Sequence, residues 1–208
     1  MIRSRLLTTL ALAGAGLALS ACVTIFPKTK PVQMYRFEAA TPTAAAAADT
    51  AGQTMPIAVG RAPTSFERGA EGDRILTVTG DQVAYIAGGR WVSPAAVLFD
   101  AAESQAFDQS QTRLRLDRRG ELNLAPVSLR LDVESFEVRY DGGAPTVVVR
   151  VEASLTRTAD RKIIAVRAFE SRQTPQADRI GAIVTGYDAA VSDVLSQIVT
   201  WTAAETPT

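Results

Sequence analysis

Cys22 is where the chain offers a reactive group in a telling position. It is the only cysteine in 208 residues, and a thiolate is the nucleophile that takes up alkyl and acyl groups most readily. A basic start (Arg3, Arg5), an apolar run from Leu6 to Leu19 and the small pair Ser20-Ala21 stand before it. The chemistry this layout suits is alkylation of the sulfur by a diacylglyceryl group. A second set of reactive groups, Asp132, Glu134 and Glu137, lies in a strand-like run where alternation would put Asp132 and Glu134 on one face. Two facing carboxylates can act as an acid and a base, as in glycoside hydrolysis. Nothing in their sequence surroundings desolvates them, so a solvated strand face is expected.

Histidine is absent. That removes the usual general base, the Ser-His-Asp and Cys-His arrangements, and the commonest zinc ligand. The expectation is a protein that is not an enzyme, with no cofactor and no metal site.

The residues ahead of Cys22 have the order of a secretory signal. An apolar run of about 14 residues is shorter than the ~20 a spanning helix needs, so residues 1–21 read as a removable signal peptide. Leu19-Ser20-Ala21-Cys22 resembles the bacterial lipobox, in which the signal is cut just before a lipidated cysteine. An ordinary signal cleaved near Ala21 would leave a free thiol instead. One acyl chain holds a protein only reversibly and two or more hold it firmly, so a Cys22 carrying several palmitate-like chains would tether a periplasmic domain to a membrane. Val23 rather than aspartate follows the cysteine, which by likeness to enterobacterial sorting suggests the outer membrane.

The charge is balanced, with 22 basic and 22 acidic residues, and loss of Arg3 and Arg5 with the signal makes the mature chain slightly acidic. Such a balance favours no nucleic-acid partner. Apolar residues at 47% suffice for a full core, and a single cysteine allows no internal disulfide.

Residues 22–31 read as a spacer carrying Pro27, Lys28, Lys30 and Pro31. A domain over 32–203 follows, with 204–208 as a frayed tail. Val32–Glu38 alternates as a first strand, Val32 and Met34 on one side and Tyr35 and Phe37 on the other. Residues 41–54, with five consecutive alanines, read as a mobile loop. Strands are expected at Met55–Gly60, Arg74–Thr79 and Val83–Ala87, the last two joined as a hairpin through Gly80-Asp81-Gln82. Ser93 as N-cap and Pro94 at the first helical position open a helix to about Asp108, its inner stripe Leu98, Ala101, Ala102 and Gln105 beside Val97 and Phe107.

A short strand at 113–118 precedes a charged turn, Asp117 to Gly120. In Val127–Tyr140, Leu129, Leu131 and Val133 are odd-numbered whereas Phe136, Val138 and Tyr140 are even, so an extra residue near Glu134-Ser135 must restore the phase. Asp141-Gly142-Gly143 turns the chain into a strand with Val147, Val149, Val151, Ala153 and Leu155 inward. A turn at Ala159-Asp160 leads to Lys162–Ser171. The last element is a helix from Pro175, capped by Thr174, to Ala203, with Ile180, Ile183/Val184, Tyr187, Val191, Val194/Leu195, Ile198 and Trp201 at helical spacing. The fold class is α/β: one domain with a mixed, mostly antiparallel sheet packed by two main helices.

Phe66-Glu67-Arg68, Arg74-Ile75-Leu76, Val83-Ala84-Tyr85, Arg90-Trp91-Val92-Ser93-Pro94 and Phe136-Glu137 together resemble the ABC-type transport auxiliary lipoproteins, with the late helix ending near Trp201. These are periplasmic lipoproteins of paraquat-inducible and other systems that contain mammalian-cell-entry (MCE) domains. The resemblance implies a fold similar to the N-terminal domain of the Tol-system β-propeller protein. It also implies an accessory role beside an MCE protein and an ABC permease and ATPase in moving phospholipid or another hydrophobic molecule, with membrane attachment through Cys22. No Walker-type phosphate loop is present, so a partner would hydrolyse ATP.

Arg90 and Trp91 are the candidates for partner binding, since both residue types are enriched in interface hot spots. Against this stands a purely structural use, Trp91 under the helix start and Arg90 paired with an acid. Two other functions compete with the accessory role: a regulatory lipoprotein activating a periplasmic cell-wall enzyme, and a lipid carrier, which would need its own apolar cavity. Self-association is left open.

Overall fold

The computed structural model describes residues 31–38, 56–118 and 125–206. Cys22, the spacer up to Lys30 and the alanine-rich loop 41–54 lie outside the described residues, as does part of the turn after Asp117. In chain order the elements are β1 (Gln33–Tyr35), β2 (Ile57–Arg61), β3 (Ser65–Phe66), β4 (Arg74–Thr79), β5 (Gln82–Trp91), α1 (Ala95–Gln109), β6 (Leu114–Leu116), β7 (Val127–Arg139), β8 (Thr146–Arg157), β9 (Ile163–Gln173) and α2 (Ile180–Glu205).

β7 is the axis of a single mixed sheet. Along one side it pairs antiparallel with β8 over nearly its whole length, and β8 pairs antiparallel with β9. Along the other side it meets three short parallel partners in succession: β2 at Val127–Leu129, β3 at Asp132–Val133 and β4 at Val138–Arg139. β6 extends the sheet beyond β2, and β5 and β1 extend it beyond β4. By length the antiparallel ladders dominate, as expected, but the parallel pairings could not be read from local pattern. Parallel partners are joined by crossovers, not by turns, so no short sequence signal announces them.

The phase flip in β7 is accommodated as the pattern requires. The register against β8 shifts between Val133 and Ser135, so Glu134 is the inserted residue. Leu129, Leu131 and Val133 before it and Phe136 and Val138 after it are therefore all buried on one face. β8 supplies Val147, Val149, Val151, Ala153 and Leu155 to that face, each fully buried. The hairpin turns are where the glycines place them, with Gly80 at φ +54° and Gly143 at φ +81°, a backbone region glycine enters without steric cost.

Both helices cover this one face. α2 lies on β8 and β9, and α1 packs against α2 and β6. Between them an aromatic cluster collects Phe37, just after β1, with Phe66 of β3, Trp91 of β5, Phe99 of α1, Phe136 of β7 and Tyr187 of α2. Phe136 stacks at 4.7 Å from Tyr187, 5.2 Å from Phe37 and 5.3 Å from Phe66, while Trp91 meets Phe37 and Tyr187 edge-on at 5.1 Å. Such offset and edge contacts add to the burial of each ring.

Three expectations about the helices need correction. α1 begins at Ala95, with Pro94 at the cap position and no side-chain cap, so Ser93 does not cap it. Its buried stripe is Ala95, Phe99, Ala102, Glu103 and Phe107, whereas Ala101 is exposed and Leu98 only half-buried. The stripe was misread because one of its members is a glutamate.

α2 begins at Ile180, not Pro175, with no side-chain cap at Arg179. Residues 174–179 fold back along the helix. Pro175 comes close enough that a Cβ at Gly186 would lie 3.5 Å from its Cγ, and Asp178 accepts a hydrogen bond from the Tyr140 hydroxyl at 2.8 Å. At the other end α2 reaches Glu205, and Thr206 is buried with its hydroxyl on the Thr202 carbonyl at 2.7 Å.

Candidate docking surface

Arg90 and Trp91 end β5, where alternation sends neighbours to opposite faces. Trp91 is 1% exposed and belongs to the aromatic cluster under the helices. It is thus no surface contact in this fold, and of the two uses weighed for the pair its own is the structural one, which removes Trp91 as a partner-binding candidate. Arg90 does lie on the surface, its Nη1 donating to Asp73 Oδ2 at 2.9 Å.

The carboxylates of β7 do not converge on a shared point. Each faces its own arginine on the side of the sheet away from the helices. Arg130 holds Asp132 at 3.2 Å, Arg150 Nε donates to Glu134 at 2.7 Å and Arg139 Nε to Glu137 at 2.7 Å. The ladder runs on into β9, where Glu170 accepts from Arg150 at 3.4 Å and from Arg172 at 2.6 Å. The hydrogen bond from Arg172 is the main reason the Glu170 carboxyl titrates below its usual range, and the hydrogen bond to Glu134 holds the Arg150 guanidinium above its own. A carboxyl held ionised, as that of Glu170 is, makes a poor general acid. Among the described residues no group of three His, Cys, Asp or Glu side chains could hold a metal ion, and no helix is long and apolar enough to cross a membrane.

Sequence reasoning missed a polar cluster inside the fold. Arg61, at the end of β2, is paired in register with Leu129 and so points to the helix side, beneath α1. Its Nη2 reaches Asp100 Oδ1 at 3.1 Å, the Asp100 carbonyl at 3.0 Å and Glu103 Oε2, and its Nη1 reaches Ser104 Oγ at 3.1 Å. Glu103 is 1% exposed. The signal was available, because Glu103 occupies the stripe position between Phe99 and Phe107, where a charge demands a buried partner. Tyr187 was placed on the inner stripe of α2, but its hydroxyl finds no hydrogen-bond partner among the described residues. Burial, with a smaller contribution from Glu137, pushes its pKa well up.

The uncovered side of the sheet therefore has two unlike sectors. Over β7, β8 and β9 it is the arginine–carboxylate ladder. Over β4, β5 and β1 its residues are largely apolar but only partly accessible: Thr77 is in register with inward Val138, so Leu76 and Val78 lie on this side opposite Tyr85 and Val83, yet Leu76 and Val78 are buried, Tyr85 is half-buried and Val83 alone of the four is exposed. Met34, paired with Arg90, faces the same way. The Arg74 guanidinium covers the Tyr85 ring at 3.7 Å, a cation–π contact that shields this sector in part. The exposed apolar side chains of this sector are those of Val83 on β5 and Met34 on β1.

Comparison with known proteins bears on what this surface serves. A crystal structure of a Xanthomonas campestris protein assigned to DUF330 is similar, with TM-score 0.69 at 20% identity, over 83% of this chain and 96% of that one. A second, uncharacterized protein aligns with TM-score 0.62 at 16% identity, over 85% and 99% of the two chains. At these identities the likeness establishes the fold. No protein of curated function matches. The profile of the ABC-type transport auxiliary lipoprotein component fits residues 35–199, from the tyrosine that ends β1 to the last turns of α2. Since that span takes in every element from β2 to β9, the chain belongs to the ABC-type transport auxiliary lipoprotein component family.

Proposed function

We propose that the protein is a lipid-anchored periplasmic accessory subunit of an MCE-type ABC transport system that moves phospholipid or another hydrophobic molecule across the envelope. It works by docking and not by catalysis. The observation that carries this reading is the family match over residues 35–199; the lipobox-like sequence at Cys22 agrees with it. In this reading acylated Cys22 fixes the domain at the outer membrane. The sheet's uncovered side and the outer surfaces of the helices present contacts to an MCE protein, while the permease and ATPase supply transport and energy. The arginine-paired carboxylates favour a role without bond-making chemistry.

Two measurements test the reading. Replacing Cys22 by serine (Cys22→Ser) should release the domain into the soluble fraction, and membrane retention without acylation would sink the anchoring claim. Affinity capture of the lipidated chain from solubilised membranes should recover an MCE-domain protein. Recovery of a cell-wall synthase in its place would make the protein a regulator of that enzyme.

A further inference from the structure

We infer that the outward side of β1 and the end of β5 lie flat on the phospholipid surface that receives the acyl chains, so that the domain is oriented on its membrane and not merely tethered to it. The inference rests on the anchoring read at Cys22. Its physical basis is that three of the seven exposed large apolar side chains among the described residues gather here, next to the tether, while Val83, Val97, Ile163 and Val166 lie elsewhere. Trp91 points into the core and is paired in register with Tyr35, so Met34 and its partner Arg90 point outward. Val92 follows on the same outward side as Arg90, with its backbone N–H on the Tyr35 carbonyl at 2.7 Å. Val32, Met34 and Val92 are 48%, 55% and 53% exposed. The apolar sector thus begins at the first residue of the folded domain, where the tether ends.

The tether is short and of suitable composition. From Cys22 to Pro31 it can extend at most about 35 Å, and it opens with Val23, Ile25 and Phe26 before Lys28 and Lys30. No acidic residue occurs from Cys22 to Phe37. Apolar side chains at the acyl boundary followed by lysines at the headgroups is the arrangement that favours an anionic bilayer. The charges flanking the sector are already matched, Arg36 by Glu38 at 2.9 Å and Arg90 by Asp73 at 2.9 Å, so seating it on lipid strands no lone ion.

Cys22 is the sole cysteine, and its acylation leaves an introduced thiol as the only labelling site. Full-length lipidated protein carrying Met34→Cys, or Ile163→Cys on the opposite edge strand, would be labelled with an environment-sensitive fluorophore. Each would be reconstituted into vesicles of phosphatidylethanolamine and phosphatidylglycerol with a headgroup-level quencher. The label at position 34 should shift to the blue and lose emission to the quencher, whereas that at position 163 should do neither. Lys28→Gln with Lys30→Gln, or high salt, should weaken the effect at position 34. If the protein floats with the vesicles but position 34 stays as unquenched as position 163, the inference is wrong and the anchor stands. Failure to float, with an unmodified thiol by mass spectrometry, overturns both. Protection of position 34 only when envelope proteins are reconstituted alongside would give this face to a protein and also overturn the inference.

Discussion

The two helices sit on the same face of the same sheet, yet they are held there by different physics. α2 is fixed by apolar area: Ile183, Tyr187, Val191, Val194, Leu195 and Ile198 are fully buried over β8 and β9, and Trp201 meets Phe169 edge-on at 5.7 Å. α1 carries an apolar stripe too, but it is also clasped by Arg61, which binds Asp100, Glu103 and Ser104 from below. Apolar packing is tolerant of substitutions that conserve volume. A buried ionic clasp is not, since removing one partner strands the other charge out of water. The α2 seam should therefore yield gradually to mutation, and the α1 seam abruptly.

The largest effect should come from breaking the clasp. Arg61→Met removes the guanidinium that Asp100 and buried Glu103 share, and loss of one partner of a buried pair costs about 3–5 kcal/mol. Urea unfolding followed by circular dichroism measures this. The double variant Arg61→Met with Glu103→Leu should recover most of the loss, because an apolar pair of similar volume often matches or exceeds a buried ion pair. A double variant as unstable as the single would mean that the destabilisation comes from lost packing and that the two seams are alike.

This contrast also marks where the sequence was legible. Period-2 alternation recovers β4, β7 and β8, and the odd-to-even switch across Glu134 fixes the inserted residue, because one buried face leaves a strand no freedom of phase. The stripe of α2 is readable for the same reason, being apolar at nearly every inward position. The start of α2 is not, because Thr174-Pro175 has the composition of a helix opening and only the fold shows Pro175 lying back along the helix beside Gly186. The stripe of α1 is hidden by Glu103, whose burial depends on an arginine in a different element. Arg90-Trp91 was readable as a pair of interest, but which of the two points inward is decided by pairing with β1, a long-range contact.

A smaller effect should separate two glycines of α2. A Cβ at Gly186 would stand 3.0 Å from Val147 Cγ2, inside a core with no slack, whereas one at Gly181 meets nothing within 4 Å. Gly181→Ala should stabilise by about 1 kcal/mol through helix propensity. Gly186→Ala should instead cost about 1–3 kcal/mol, since overpacking a filled core outweighs that gain. Thermal melts of the two variants side by side check the sign. Equal stabilisation by both would show the α2 seam to be looser than its burial implies.

Tyr187→Phe probes the same seam more gently. Its hydroxyl is buried without a partner among the described residues, and an unsatisfied buried polar group is a cost that its removal relieves. Denaturant unfolding should find the variant as stable as the parent or more so, by up to about 1 kcal/mol. A clear loss would point to an ordered water or an unrecognised acceptor in the seam.

The smallest effect belongs to the polar tie at the front of α2 and shows itself only at high pH. The Tyr140 hydroxyl donates to Asp178 at 2.8 Å, and its pKa is pushed up to about 12, by burial first and then by that hydrogen bond. In the unfolded chain a tyrosine titrates near 10. Between roughly pH 10 and 12 the folded state therefore holds a proton that the unfolded state has released. The linked stabilisation is fully present below pH 10 and lost as pH rises toward 12. Tyr140→Phe cannot show this loss, so the gap in melting temperature between parent and variant should be constant from pH 7 to 9 and narrow from pH 10 upward. A gap that stays constant to pH 12 would mean that Tyr140 titrates alike in both states. The lead-in to α2 would then be held, like the rest of that helix, by apolar contact alone.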